Sequence, residues 1–153
     1  MKPPDPKIVI WLDPGKMTGW AMLEDMASFS SGQADFDCID DMVNMWCHLM
    51  RDNLWLGWER YIVTQGGGRT GTPEYSLEVI GAVKSACRRN SVTVLQPMPS
   101  ASRKLGGDLK LQRLGWRQPN MRHANDAANH LLAWLLREKR LPTHLTQKLF
   151  TPG

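Results

Sequence analysis

No stretch of the 153 residues comes near the roughly 18 consecutive apolar residues of a membrane-spanning helix, so a membrane protein is excluded and a soluble chain is expected. Cysteine is scarce. Cys38, Cys47 and Cys87 are odd in number and never closer than nine apart, which argues against a disulfide framework and against a zinc knuckle. Reduced thiols packed as small apolar groups are the expectation. The MKPPDPK start leads into an apolar run too short for a signal peptide, which predicts an intracellular, cytoplasmic protein. A Walker loop is missing as well. Gln65 to Thr72, QGGGRTGT, has the composition of a phosphate cradle but lacks the Gly-Lys-Ser/Thr ending, so no nucleotide cofactor is expected. Tyrosine and phenylalanine are few, two and three, whereas tryptophan numbers seven. Most of these indoles belong in a core, with one or two available to stack on unpaired bases.

The chain does have the length for one domain, residues 1–153, with a real core. Its net charge of +4 conceals an asymmetry. Residues 1–68 hold five Lys/Arg against ten Asp/Glu, whereas residues 69–153 hold fourteen against five. A strongly basic half suits a polyanionic partner, most simply nucleic acid, and the alternative is a solvated basic surface.

Lys7 to Trp20, KIVIWLDPGKMTGW, organises the rest. The β-branched and aromatic run Ile8 to Leu12 suits a strand buried on both faces. That strand ends in a charge. Asp13 is followed by Pro14-Gly15, where Pro fixes φ and Gly allows positive φ, so the chain turns and a second strand begins near Thr18. Asp13 is either an Asx-turn residue bonding its own turn or a metal ligand whose oxygens the sheet holds in place. Strands over Gly19 to Leu23 and Ala27 to Ala34 complete an antiparallel meander.

Asp35 or Asp37 opens a helix with an apolar stripe of Ile39, Met42, Val43, Trp46, Leu49 and Met50. The next strand region, Leu54 to Thr64, is interrupted by Glu59 and Arg60. A carboxylate within such a run is costly unless it is paired with a basic group or binds metal. After the glycine loop with Arg69, a helix from Pro73 to Arg89 and a short buried strand from Val92 to Leu95 repeat the strand-helix-strand order of an α/β sheet with parallel pairs. The segment 96–119 is the basic patch. It carries Arg103, Lys104, Lys110, Arg113 and Arg117, with a short helix over Leu109 to Leu114. Asn120 can cap a final helix through HANDAANHLLAWLLREKR, which places His123, Asp126 and His130 at i, i+3 and i+7 along one polar ridge. Either His123 caps or bonds locally and Asp126 pairs with an arginine, or the ridge packs against the sheet end that carries Asp13 and Glu59, where converging oxygen and nitrogen donors make a divalent-metal site. The tail, residues 141–153, has two prolines and sparse apolar residues, and its flexibility is left open.

Taken together, LDPGKMTGWA, the apolar strand with Glu59 and the helix HANDAANHLL resemble the RuvC family of Holliday-junction resolvases, most like its compact phage-encoded branch. The likeness runs over roughly residues 7–138. It implies a ribonuclease H-like fold, an α/β arrangement in which a mixed central sheet, a three-strand antiparallel meander plus parallel strands, is flanked by helices. It also implies a homodimer that hydrolyses branched DNA, four-way junctions above all and forks and flaps besides, with magnesium or manganese, two ions per site. Position by position, Asp13 matches the family's strand-one aspartate, Glu59 its strand-four glutamate and Asp126 its last helical aspartate. Where the family often has a further carboxylate one turn earlier, this chain has His123, either a ligand or an acid or base. Lys104 and Lys110 loosely match the family's basic residues, and Arg69, Arg103, Arg113 and Arg117 join them as candidates to grip phosphates. The helix from Pro73 to Arg89 is the candidate dimer interface. A less selective nuclease of the same fold and a non-catalytic junction-binding protein are the competing readings.

Overall fold

The computed structural model describes residues 4–59, 73–98 and 104–152. In chain order these form β1 (Ile8–Asp13), β2 (Met17–Glu24), β3 (Ser28–Asp35), α1 (Phe36–Met50), β4 (Leu54–Trp58), α2 (Pro73–Asn90), β5 (Thr93–Val94), α3 (Asp108–Leu114), α4 (Arg122–Arg137) and α5 (Thr143–Phe150). All five strands join one sheet in the order β3-β2-β1-β4-β5, with antiparallel pairing from β3 to β1 and parallel pairing from β1 to β5. The expected mixed sheet is present, and β1 is its central strand.

Strand alternation sorts the core into two layers. Ile10, Leu12 and Leu56 point to one face, where they pack with Ile39, Val43 and Trp46 of α1 and Val79 and Val83 of α2. Val9 and Trp11 point to the other, against Leu131 and Leu135 of α4 with Leu111, Leu145 and Leu149. Each such side chain, fully buried, contributes roughly 1.5–3 kcal/mol. Asp13 shares its parity with Val9 and Trp11, so the end of β1 delivers its carboxylate to the α4 face.

Of the two expected openers of α1, Asp35 is the cap, its Oδ1 accepting from the Cys38 amide at 3.0 Å. Other details differ from the sequence expectation. Leu49, counted into its apolar stripe, is 69% exposed, and Cys47 is buried instead. Cys47 and Cys87 remain free thiols with their sulfurs 4.0 Å apart between α1 and α2. The strand β5 is shorter than expected and exposed, an edge strand anchored by buried Val92. Asn120 does not cap α4; Met121 stands at the N-cap position without a side-chain bond. Asn125 holds the approach instead, its amide bonding both the N–H and the carbonyl of Gln118 at 2.8 Å. In the tail, α5 sets Leu145 and Leu149 into the core. The expected residues 60–64 of the fourth strand and the glycine loop lie outside the described residues.

Candidate metal centre

Three local devices bring distant residues to one place. The first is the turn after β1, where the buried Thr18 hydroxyl donates to the Gly15 carbonyl at 3.1 Å and the Ser76 hydroxyl of α2 donates to the Pro14 carbonyl at 3.0 Å. Both bonds fix the direction in which Asp13 leaves the sheet. The second is parallel pairing. Leu12 is in register with Trp58, and the next residue, Glu59, donates its amide to the Leu12 carbonyl at 3.3 Å, so Glu59 lies beside Asp13. The third is a glycine. Gly19 is the register partner of Asp13, and a Cβ there would stand 1.8 Å from the His123 carbonyl oxygen. Only a residue without a side chain lets the first turn of α4 lie directly on the sheet at this point.

The α4 ridge therefore faces the strand ends. His123 Nδ1 lies 3.3 Å from Asp13 Oδ2, and His130 Nε2 lies 2.9 Å from Glu59 Oε2. Two groups of donor atoms result, Asp13 with His123 and Asp126, and Asp13 with Glu59 and His130. Within each group the atoms lie within 4.8 Å of one another. Asp13 belongs to both.

Burial pushes the Asp13 carboxyl above its ordinary range; the His123 hydrogen bond opposes this, Asp126 adds to it, His130 opposes it and Glu59 adds to it. Arg122 reaches Asp126 at 3.8 Å with 88% of its side chain exposed. Three carboxylates and two imidazoles converging on one place have the donor chemistry of a divalent-metal site. The residues fit such an ion.

Of the residues singled out from the sequence, Asp13, Glu59, His123 and Asp126 come together here. His130, seven residues after His123 on the same ridge, joins them because its carboxylate partner Glu59 comes from a different strand. Arg69 and Arg103 lie outside the described residues. Lys104 is exposed and makes no ion pair among the described residues, while Lys110 Nζ donates to the Leu105 carbonyl at 2.5 Å. Arg113 donates to the Leu149 carbonyl at 2.8 Å and Arg117 pairs with Asp108 at 2.8 Å, so both also tie the structure together. A cleft of about 450 Å³ bounded by Arg117, Arg122 and Asp126 opens on this side of the site.

Strand order, the half-buried aspartate at the end of the central strand and the helix α4 laid across it are those of a ribonuclease H-like fold. The chain is similar to solved structures of RuvC. With Thermus thermophilus RuvC in complex with a Holliday junction substrate it shares 17% identity at a TM-score of 0.58, over 87% of this chain and 96% of that one. With the Thermus thermophilus RuvC structure the values are 16% and 0.57, over 87% and 97%. No family model matches the sequence, and no curated protein does.

Proposed function

We propose that this chain is a metal-dependent endonuclease that resolves Holliday junctions and related branched DNA by paired phosphodiester hydrolysis. The observation that carries the reading is the pair of donor groups sharing Asp13 at the end of the central strand of a RuvC-like fold. Asp13 would contribute to both ions, Glu59 to one, and His123 with Asp126 to the other. Divalent ions bound there would supply an activated water and charge neutralisation at the leaving 3′ oxygen. Glu59 would accept a hydrogen bond from the attacking water and orient it, its backbone amide held by the sheet and its carboxylate 2.9 Å from His130 Nε2. Arg117, Arg122, Lys104, Lys110 and Arg113 lie on the chain's basic half around the cleft and α3, where they hold phosphates and set the scissile bond against the carboxylates. Arg69 and Arg103 are assigned the same task. Paired cuts across a four-way junction need two such centres, which supports a homodimer. The resemblance of LDPGKMTGWA and HANDAANHLL to the phage-encoded branch is the ground for assigning it to the cytoplasm of an infected bacterium.

The test is cleavage of an end-labelled synthetic four-way junction with magnesium, manganese or chelator, native chain against Asp13→Asn. Symmetric nicks that require metal and vanish in the variant while junction binding persists are expected. Tight binding without a cut under either metal would sink the reading in favour of a non-catalytic junction binder. Equal cutting of flaps, forks and RNA–DNA hybrids would instead identify a less selective nuclease.

A further inference from the structure

His130 stands beside the assigned ligands with no role in the reading above except to hold Glu59. Its side chain is only 11% exposed, and Nε2 points at Glu59 Oε2 from 2.9 Å. A histidine whose sole task was to pair with Glu59 would have no reason to face Asp13 as well. Yet its donor atom falls within 4.8 Å of the donor atoms of both carboxylates. Two donors bound side by side to one small ion, at bond lengths of about 2.1 Å and at right angles, stand about 3 Å apart. The His130 to Glu59 separation is already that of neighbouring ligands. In the neutral tautomer with its proton on Nδ1, the Nε2 lone pair faces the site.

We infer that His130 is a metal ligand of the half-site it shares with Asp13 and Glu59, so that each half-site contains one imidazole and the centre takes manganese in preference to magnesium. This rests on the metal-dependent reading of the same site. Magnesium takes oxygen ligands in a strict octahedron and gives up its waters reluctantly. Imidazole suits first-row transition ions, and among these manganese also accepts carboxylates. One imidazole at His123 leaves the Glu59 side an all-oxygen half-site open to magnesium. A second imidazole at His130 removes that option.

The experiment is pulsed electron paramagnetic resonance of Mn²⁺ bound to the full chain, read for coupling to ¹⁴N, beside Mn²⁺ and Mg²⁺ titrations. In His123→Asp the first imidazole is replaced by a carboxylate, and His123→Gln serves as a second variant should the aspartate disturb folding. The expected result is nitrogen coupling that persists in either variant and disappears when His130→Gln is added. The single change His130→Gln should weaken Mn²⁺ binding by more than the roughly 10- to 100-fold that losing an outer-shell partner costs, with a smaller effect on Mg²⁺. Mn²⁺ bound to His123→Asp without any nitrogen coupling would overturn the inference and leave His130 as a positioning residue for Glu59, with the metal reading intact. A native chain that binds no Mn²⁺ at all would remove both together.

Discussion

At the scale of single residues, Asp13 answers to two opposing demands. The sheet buries it, and burial raises its carboxyl pKa, with the neighbouring Asp126 and Glu59 adding to the shift. A carboxyl whose pKa is higher folded than unfolded favours the folded chain fully at pH below the unfolded value. That contribution is lost as pH rises through the folded value. In the metal-free protein the ionisation of Asp13 therefore comes at a cost in stability. Asp13→Asn should melt later than the native chain without metal, by a stability gain of roughly 0.5–2 kcal/mol, and the gain should vanish in acid. Added divalent metal should reverse the order. The native chain then gains about 2.7 kcal/mol at a hundredfold excess of metal over its Kd. Thermal melts at neutral and acid pH, with and without metal, check all three statements. A variant no more stable than the native chain in chelator at neutral pH would refute the argument from burial. The two strand carboxylates were legible in the sequence because a charge at the end of an apolar run is conspicuous. His130 is legible only as part of the α4 ridge, because its pairing with Glu59 depends on a different strand.

At the scale of elements, the centre depends on how closely α4 approaches β2. The sequence shows α4 as an amphipathic helix with a polar ridge, but nothing in its periodicity says which way that ridge faces. Gly19 decides this. A methyl group there would press on the His123 carbonyl at 1.8 Å, and backbone cannot step aside as a side chain tip can. Gly19→Ala should cost at least the roughly 1–3 kcal/mol typical of overpacking. It should also separate His123 and Asp126 from Asp13, so metal affinity falls even where the variant is still folded. Calorimetric metal titration of the folded variant tests this. Unchanged affinity would mean that α4 reaches its place by other contacts. The same scale explains the errors at element ends. Asn120 has the chemistry of a helix cap, yet the chain enters α4 through Met121 because the Asn125 amide already bonds both polar groups of Gln118.

For the whole molecule, the basic half supplies a surface for a polyanion, and the described part of it is not uniform. Arg113 and Arg117 bond to Leu149 and Asp108 and so also hold α3 in place, whereas the hydrogen bond of Lys110 stays within its own loop and helix and Lys104 stands on the surface. Each phosphate neutralised adds about −0.9 to the slope of log affinity against log salt. The double change Lys104→Ala and Lys110→Ala should therefore flatten the slope for a four-way junction by about 2 and leave the melting temperature nearly unchanged. A slope equal to that of the native chain would return these lysines to the solvated surface.

The order of strands and helices, the central place of β1 and the candidate carboxylates are legible in the chain's local patterns, because hydrophobic periodicity, turn residues and interrupted apolar runs are local signals. Tertiary structure alone decided that Asp13 serves two donor groups and that His130 belongs to one of them. It also decided that Leu145 and Leu149 of the sparse tail complete the core. The physical reason is the same in each case. These properties depend on which groups meet across the sheet, and the meeting is set by parallel register, by strand parity and by one glycine that lets a helix backbone touch a strand.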